Sequence, residues 1–349
     1  MNYKFIKLEK LFNEIKEKNK KILVISSNFH SKKKYFTNLV HNLKKKNIVN
    51  IFIDVSSGAP INNVYSILNK FYKPDLIIGV GGGSVMDVAK ACSCLFYQNK
   101  SKNITKIKIL KKIKTILVPT ILGSGAESSK GAILKDRKDK KIAIRHDLIK
   151  AESIFLDLDI VKLAKNRIMC EALYDCFSHA IETYISNFST KSVKKRSLKA
   201  LNFFLNVKSK SFFKKKQNLK KLAKFSIFMG QNLVESTTCL PHRIQYSLSE
   251  FTKATHAQGI NALHKGWLFC SLETSKFKKL GKDLKIDNKR LYRNIMNLRN
   301  RLKINYSLTN LGIKQKHLKK ISKKTIGRLN ADPLYINRKS IITILENSL

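Results

Sequence analysis

The first half of the chain carries a series of short apolar runs with little polar alternation: Ile22–Ser26, Ile51–Val55, Leu76–Val80, Thr115–Val118, Ile142–Ile144 and Ile154–Leu156. A strand with one wet face alternates apolar and polar side chains, whereas a strand covered on both faces does not. Between these runs lie segments of helical spacing, Tyr35–Lys46 and Val85–Tyr97 among them. Strand and helix in alternation predict an α/β domain with a mostly parallel sheet. After about residue 160 the strand signals fade, and the spacing predicts helices near 163–186, 193–206, 218–236 and 260–280. The expected organisation is an α/β domain over 1–160 and an all-α domain over 161–349.

The sequence has 349 residues, 43% of them hydrophobic, which is enough for two ordinary domains with sizeable cores. Its net charge is +47, from 70 basic and 23 acidic residues. Such an excess raises the question of nucleic acid as a partner. Only eleven of the basic residues are Arg, however, and the lysines are spread along the whole chain. Specific phosphate and base contacts favour Arg. The charge therefore reads as a solvated, Lys-biased surface without a specific nucleic-acid partner, one that could still steer an anionic substrate. The six cysteines form no CxxC pair and suggest no disulfide framework. No signal-peptide pattern opens the chain, and no apolar run approaches the roughly 18 residues of a membrane span. A cytoplasmic protein without a membrane partner is expected.

Leu76–Val80 runs into Gly81, Gly82, Gly83 and Ser84, and Val85–Lys90 then has helical spacing. Glycines let a backbone approach a ligand closely, and a helix start offers free N–H groups to a phosphate. On a doubly wound sheet a pyrophosphate is the natural guest. The loop is neither GxGxxG nor a Walker motif. A second loop, Val118 to Glu127, supplies Thr120, Ser124 and a carboxylate, suited to a ribose or nicotinamide.

Asp175 and His179 are four apart in a stretch of helical spacing, so both lie on one helix face. His242 and His256 follow, fourteen residues apart. One carboxylate and three imidazoles suit Fe²⁺ or Zn²⁺, and the lack of thiolates argues against a structural zinc site.

With these motifs in this order, the sequence resembles the iron-containing (group III) alcohol dehydrogenases, of the dehydroquinate-synthase-like fold. Gly81 to Ser84 with Asp87 resembles the family's GGGS-x-x-D cofactor motif. Pro119 to Glu127 resembles its PTTAGTGSE loop. Asp175 and His179 match its D-x-x-x-H pair, and His242 and His256 match its two further ligands. The resemblance implies an N-terminal dinucleotide-binding domain for NAD or NADP and a helical metal-binding domain. It also implies a metal in the cleft between them, Lys141 near the nucleotide, and a homodimer or larger assembly. The substrate implied is a small-molecule alcohol.

Three departures stand out. Tyr246 occupies the position where the family commonly has another His. The family's H-G-x-x-N after the last ligand here reads His256, Ala257, Gln258, Gly259, Ile260, Asn261, as though one residue were inserted. The run Val24 to Asn28 lacks the acidic residue that would bind ribose hydroxyls and repel a 2′-phosphate, so NADP is permitted. The stretches around Phe225–Gly230, His242–Tyr246 and Pro333–Tyr335 are similar to a subgroup oxidising the terminal (C8) hydroxyl of the sugar acid 3-deoxy-octulosonate (Kdo), a step of lipopolysaccharide biosynthesis. Tyr246 then either lines the pocket, relays a proton, or is a packed core residue. Alternatives are a reductase of another small aldehyde, a dehydroquinate-synthase-like lyase, a basic nucleic-acid-binding protein, and a degenerate member with impaired catalysis.

Overall fold

The structure is a computed structural model that describes residues 2–15, 18–98 and 108–349. The chain divides into two compact units, Met1–Ala164 and Lys165–Leu349.

The first unit is built on β1 (Asn2–Phe5), β2 (Lys21–Ser26), β3 (Ile48–Phe52), β4 (Leu76–Gly81), β5 (Lys114–Pro119) and β8 (Ser153–Leu156). They form a six-stranded sheet in the order β1-β8-β5-β4-β2-β3. Every pairing in it is parallel. Both faces are covered, as the unbroken apolar runs require. In β2, Leu23 and Ile25 pack with Val64, Ile67 and Ala89, while Ile22 and Val24 pack with Leu39 and Leu43 on the other face. The helices supplying these partners are Lys34–Lys44, Ile61–Lys70 and Gly83–Leu95.

Three expectations change here. Ile142–Ile144 is not a strand of the parallel sheet. It lies in β7 (Lys141–Arg145), which pairs antiparallel with β6 (Gly131–Lys135) in a separate two-stranded hairpin. The cause is the turn between them: Asp136 accepts hydrogen bonds from the Lys138 and Lys140 amides, at 2.8 and 2.9 Å. Asp139 adopts φ of +61° there, a conformation that Asp tolerates. The run Ile51–Val55 also starts too late. Pairing with β2, beginning at Lys21 opposite Ile48, sets the strand at Ile48–Phe52. Finally, β1 is an edge strand of the sheet that hydropathy left unmarked, because its residues are exposed or half-buried.

The second unit is helical. Its central helix, Asn166–Ile185, is buried nearly all round from Met169 onward. It packs against Lys191–Leu205, Lys216–Glu235 and His256–Ser271, and the last of these packs against Leu240–Leu248. The segment near 260–280 is two helices rather than one. His256–Ser271 ends, and Thr274 caps Ser275–Asp283 by accepting from the Phe277 amide at 3.3 Å. Asn288–Leu302, Gln315–Lys324 and Arg338–Glu346 complete the unit. No helix among the described residues is long and apolar enough to cross a membrane.

Candidate metal centre and nucleotide loop

A helix buried on all sides has nowhere to send polar side chains, so each must be paired or ligate something. Among the buried polar groups of Asn166–Ile185, Asp175, His179 and Glu182 stand at successive turns of one face. Pro241 sits in the first turn of the next helix, a position where its missing N–H costs nothing. That start places His242 within reach of the central helix.

Asp175, His242 and His256 each offer a ligand atom within 4.8 Å of the others. Nε2 of His242 lies 3.6 Å from Asp175 Oδ1, and Nε2 of His256 lies 3.7 Å from the same oxygen. Two ligand atoms each about 2.1 Å from one ion, at a tetrahedral angle, stand about 3.4 Å apart. The Asp175 oxygen and the His242 nitrogen are both buried without a hydrogen-bond partner, which is costly unless an ion serves them. These residues therefore fit a divalent metal ion. His179 is adjacent: its ring stacks on His242, with centroids 4.6 Å apart and planes at 27°. The side chain of His256 remains 32% exposed, so the cluster is open on that side, as a catalytic rather than a structural metal site requires.

Electrostatics support the same reading. Burial pushes the Asp175 carboxyl up, but His179, His256 and His242 outweigh it and hold it well below the usual carboxylate range. Burial pushes the His242 imidazole down, but Glu182 and Asp175 raise it to about 9. The pocket thus demands a compensating positive charge, which a proton supplies in the metal-free chain and a divalent cation would replace.

Behind the cluster, Glu182 takes a hydrogen bond from His242 Nδ1 at 2.8 Å and another from His264 Nε2 at 3.0 Å. Nδ1 of His256 donates to Gln245 Oε1. Tyr246 lies beside His256, ring centroids 6.1 Å apart and half-buried, and the Arg243 guanidinium lies 5.6 Å from the Tyr246 ring.

In the first unit, β4 ends at Gly81 and the following helix begins at Gly83, with Gly82 at its cap and no side chain there to satisfy the amides. A free helix start after a buried parallel strand is the arrangement that receives a phosphate. Ser84 Oγ accepts from the Gly58 amide at 3.0 Å. Asp87 is turned inward: it pairs with the buried Lys90 at 3.0 Å and accepts from the Ile133 amide at 3.2 Å. Thr120 Oγ1 stands 3.0 Å from His30 Nε2, and Ser124 Oγ accepts from the Ala126 amide at 3.3 Å. Lys141 opens β7 and its charge is felt at Asp87.

A sequence profile described as iron-containing alcohol dehydrogenase matches residues 3–158, and one described as the Fe-containing alcohol dehydrogenase family, C-terminal, matches residues 170–349. The chain belongs to the iron-containing alcohol dehydrogenase family. It is 30% identical to long-chain-alcohol dehydrogenase 1 of Geobacillus thermodenitrificans over 149 residues, 40% of this chain and 37% of that protein. It is 34% identical to the 4-hydroxybutyrate dehydrogenase of Clostridium kluyveri over 155 residues, 43% of this chain and 41% of that protein. Each match thus spans well under half of the relative's own length. Among solved structures, the sulfoacetaldehyde reductase of Bifidobacterium kashiwanohense, in complex with NAD⁺, superposes with a TM-score of 0.86 at 18% identity, covering 99% of this chain and 96% of that one.

The segment after His256, where the chain departs from the family pattern, is a regular helix. Thr255 and Gln258 form a capping box at its start, and Ala257 lies in the first turn with no positive φ. A glycine is needed instead at Gly259, where a Cβ would come within 2.9 Å of the Gln245 side chain that holds His256. Sequence reasoning missed Glu182, Gln245 and His264. Glu182 was legible: it is seven residues after Asp175 and three after His179, on the same helix face. It also missed Asp54, which pairs by a backbone bridge with Ser27 at the end of β2. An acidic residue therefore does stand beside that strand end, but it comes from the end of β3.

Proposed function

We propose that this protein is a metal-dependent, NAD(P)-linked alcohol dehydrogenase that interconverts a primary alcohol and its aldehyde. The observation that carries the reading is the convergence of Asp175, His242 and His256 with two buried, unserved ligand atoms. Asp175, His179, His242 and His256 would hold Fe²⁺ or Zn²⁺. When bound, the ion supplies Lewis acidity toward a substrate hydroxyl and the nicotinamide supplies a hydride acceptor.

The chain's own residues have distinct tasks in this proposal. Gly81, Gly82 and Gly83 let the backbone approach the pyrophosphate, and Ser84, Thr120 and Ser124 line its surroundings. Asp87 and Lys141 shape that loop from behind, Asp87 through Lys90. Asp175 offsets part of the cation's charge and so moderates its acidity. Tyr246, next to the exposed edge of His256, would line the substrate side and relay the released proton, accepting it at its hydroxyl oxygen while passing its own hydrogen on to solvent.

The finer proposal is an anionic alcohol, such as the terminal hydroxyl of a sugar acid like 3-deoxy-octulosonate. Arg243 favours it. This buried guanidinium follows a ligand in sequence, is steadied by the hydroxyls of Thr237 and Thr238 at 2.9 and 2.8 Å, and lies over Tyr246. The similarity to a 4-hydroxybutyrate dehydrogenase agrees with a carboxylate-bearing substrate.

The test is metal analysis of the purified protein, followed by NAD and NADP reduction with simple alcohols, 4-hydroxybutyrate and sugar acids. Retained iron or zinc and turnover of at least one alcohol is the expected result. A protein that binds neither metal, or that turns over no alcohol or aldehyde with either cofactor, would falsify the proposal. A preference for uncharged alcohols would remove the anionic refinement alone.

A further inference from the structure

We infer that Glu182 is a positioning residue that fixes which nitrogen of His242 faces the metal, with His264 and Tyr174 fixing Glu182 in turn; the inference rests on the proposed metal site.

The assignment follows from counting donors and acceptors. Glu182 is fully buried, and both of its carboxylate oxygens are occupied. Oε2 accepts from the Cys239 amide at 2.9 Å. Oε1 accepts from two imidazoles, His242 Nδ1 at 2.8 Å and His264 Nε2 at 3.0 Å. A carboxylate only accepts, so both of these nitrogens carry hydrogen. On His242 this leaves Nε2, which faces Asp175 and has no hydrogen-bond partner, as the nitrogen whose proton a metal ion would replace. On His264 it makes Nδ1 the acceptor, and the Tyr174 hydroxyl donates to it at 3.3 Å. The order of donation, Tyr174 to His264 to Glu182, with His242 donating from the other side, has one consistent set of hydrogens.

The same logic repeats at His256, whose Nδ1 donates to the side-chain oxygen of Gln245 and whose Nε2 points at Asp175. The two imidazoles are thus tied from behind by different chemistry, one by a buried carboxylate and one by an amide. Such outer partners orient a ligand and raise its basicity. Glutamine at position 182 cannot reproduce this. One side of its amide donates, so it meets either the Cys239 N–H or the imidazole N–H groups as a second donor.

The experiment uses the full chain and Zn²⁺, measuring the dissociation constant by competition with a chelator and stability by urea unfolding. Glu182→Gln is expected to weaken Zn²⁺ binding about 10- to 100-fold. His264→Phe removes one donor to Glu182 but leaves the bond to His242, so its Zn²⁺ affinity is expected to stay within a few-fold of the parent while its stability falls. Equal Zn²⁺ affinity in Glu182→Gln and the parent would overturn the inference. If Glu182→Gln does not fold, nitrogen-15 histidine spectra of the Zn²⁺-loaded parent decide: His242 must be ligated at Nε2 and protonated at Nδ1, and ligation at Nδ1 overturns the inference. A parent protein that binds no Zn²⁺ or Fe²⁺ defeats the metal site itself, an outcome distinct from a bound metal that is indifferent to Glu182.

Discussion

Oδ1 of Asp175 and Nε2 of His242 face each other at 3.6 Å, both buried and neither with a hydrogen-bond partner. A ligand that binds only the folded chain stabilises it by mass action, about 2.7 kcal/mol at a hundred times its dissociation constant. For a unit of this size that is a rise in Tm of about 5–10 °C. Zn²⁺ added to chelator-treated protein should produce this shift, and Asp175→Ala should abolish it. Differential scanning fluorimetry checks both; an undiminished shift in the variant would place the ion elsewhere.

Two glycines of the nucleotide loop should respond oppositely to the same change. A Cβ at Gly81 would lie 2.5 Å from Val85 Cγ2 and 2.6 Å from Val85 Cβ, with no flexible chain end to give way. Gly81→Ala should therefore cost about 1–3 kcal/mol of stability, read by urea unfolding. At Gly83 the nearest atom is the Ser124 hydroxyl at 3.3 Å, and alanine suits a helix better than glycine. Gly83→Ala should keep stability within about 1 kcal/mol and instead weaken NAD or NADP binding, read by fluorescence titration. Unchanged affinity for both nucleotides would show that the helix start does not receive the phosphates.

The sequence showed most where burial is uniform and least where pairing or capping decides. The parallel sheet was legible because β2, β4 and β5 are apolar on both faces. Ile142–Ile144 was misplaced because a short apolar run carries no sign of its partner, and the Asp136 turn that makes the hairpin is a local hydrogen-bonding matter. The helix break before Ser275 rests on one capping hydroxyl, Thr274. At the candidate site, the i, i+4 pair and the two later histidines were readable as residue types. Their mutual distance was not, because it depends on how Leu240–Leu248 and His256–Ser271 pack on the central helix. Glu182 was overlooked, although its spacing puts it on the face of Asp175 and His179, because a single acidic residue in a helix usually marks a solvated face.

Lys90 is fully buried and makes an ion pair with Asp87 at 3.0 Å. It also donates to Ala126 O at 2.7 Å, to Ser129 Oγ at 3.1 Å and to Gly131 O, tying the second loop to the helix that follows the glycines. Lys90→Met strands a buried carboxylate and should cost about 3–5 kcal/mol. Pairing it with Asp87→Asn should recover part of that loss, because the orphaned charge is gone. Urea unfolding of the single and double variants measures the coupling, and a loss below about 1 kcal/mol in Lys90→Met would mean that water reaches Asp87.

His30 gives the first unit a pH dependence whose sign can be worked out. Burial, aided by the Lys33 charge, lowers its imidazole from 6.5 to about 4. Neutral, it bonds the Tyr35 hydroxyl through Nδ1 and the Thr120 hydroxyl through Nε2. Between about pH 4 and 6.5 the unfolded chain binds this proton and the folded chain does not, so stability falls as pH falls across that window. Above pH 6.5 the contribution is fully present and flat. His30→Gln stays neutral throughout and should lack this slope, so the stability difference between parent and variant should shift in the variant's favour from pH 7 to pH 4. Carboxylates titrating in the same range affect both proteins alike and cancel in the difference. Urea unfolding at several pH values measures it, and parallel stability curves for the two proteins would show that His30 is protonated as readily in the folded chain as in the unfolded one.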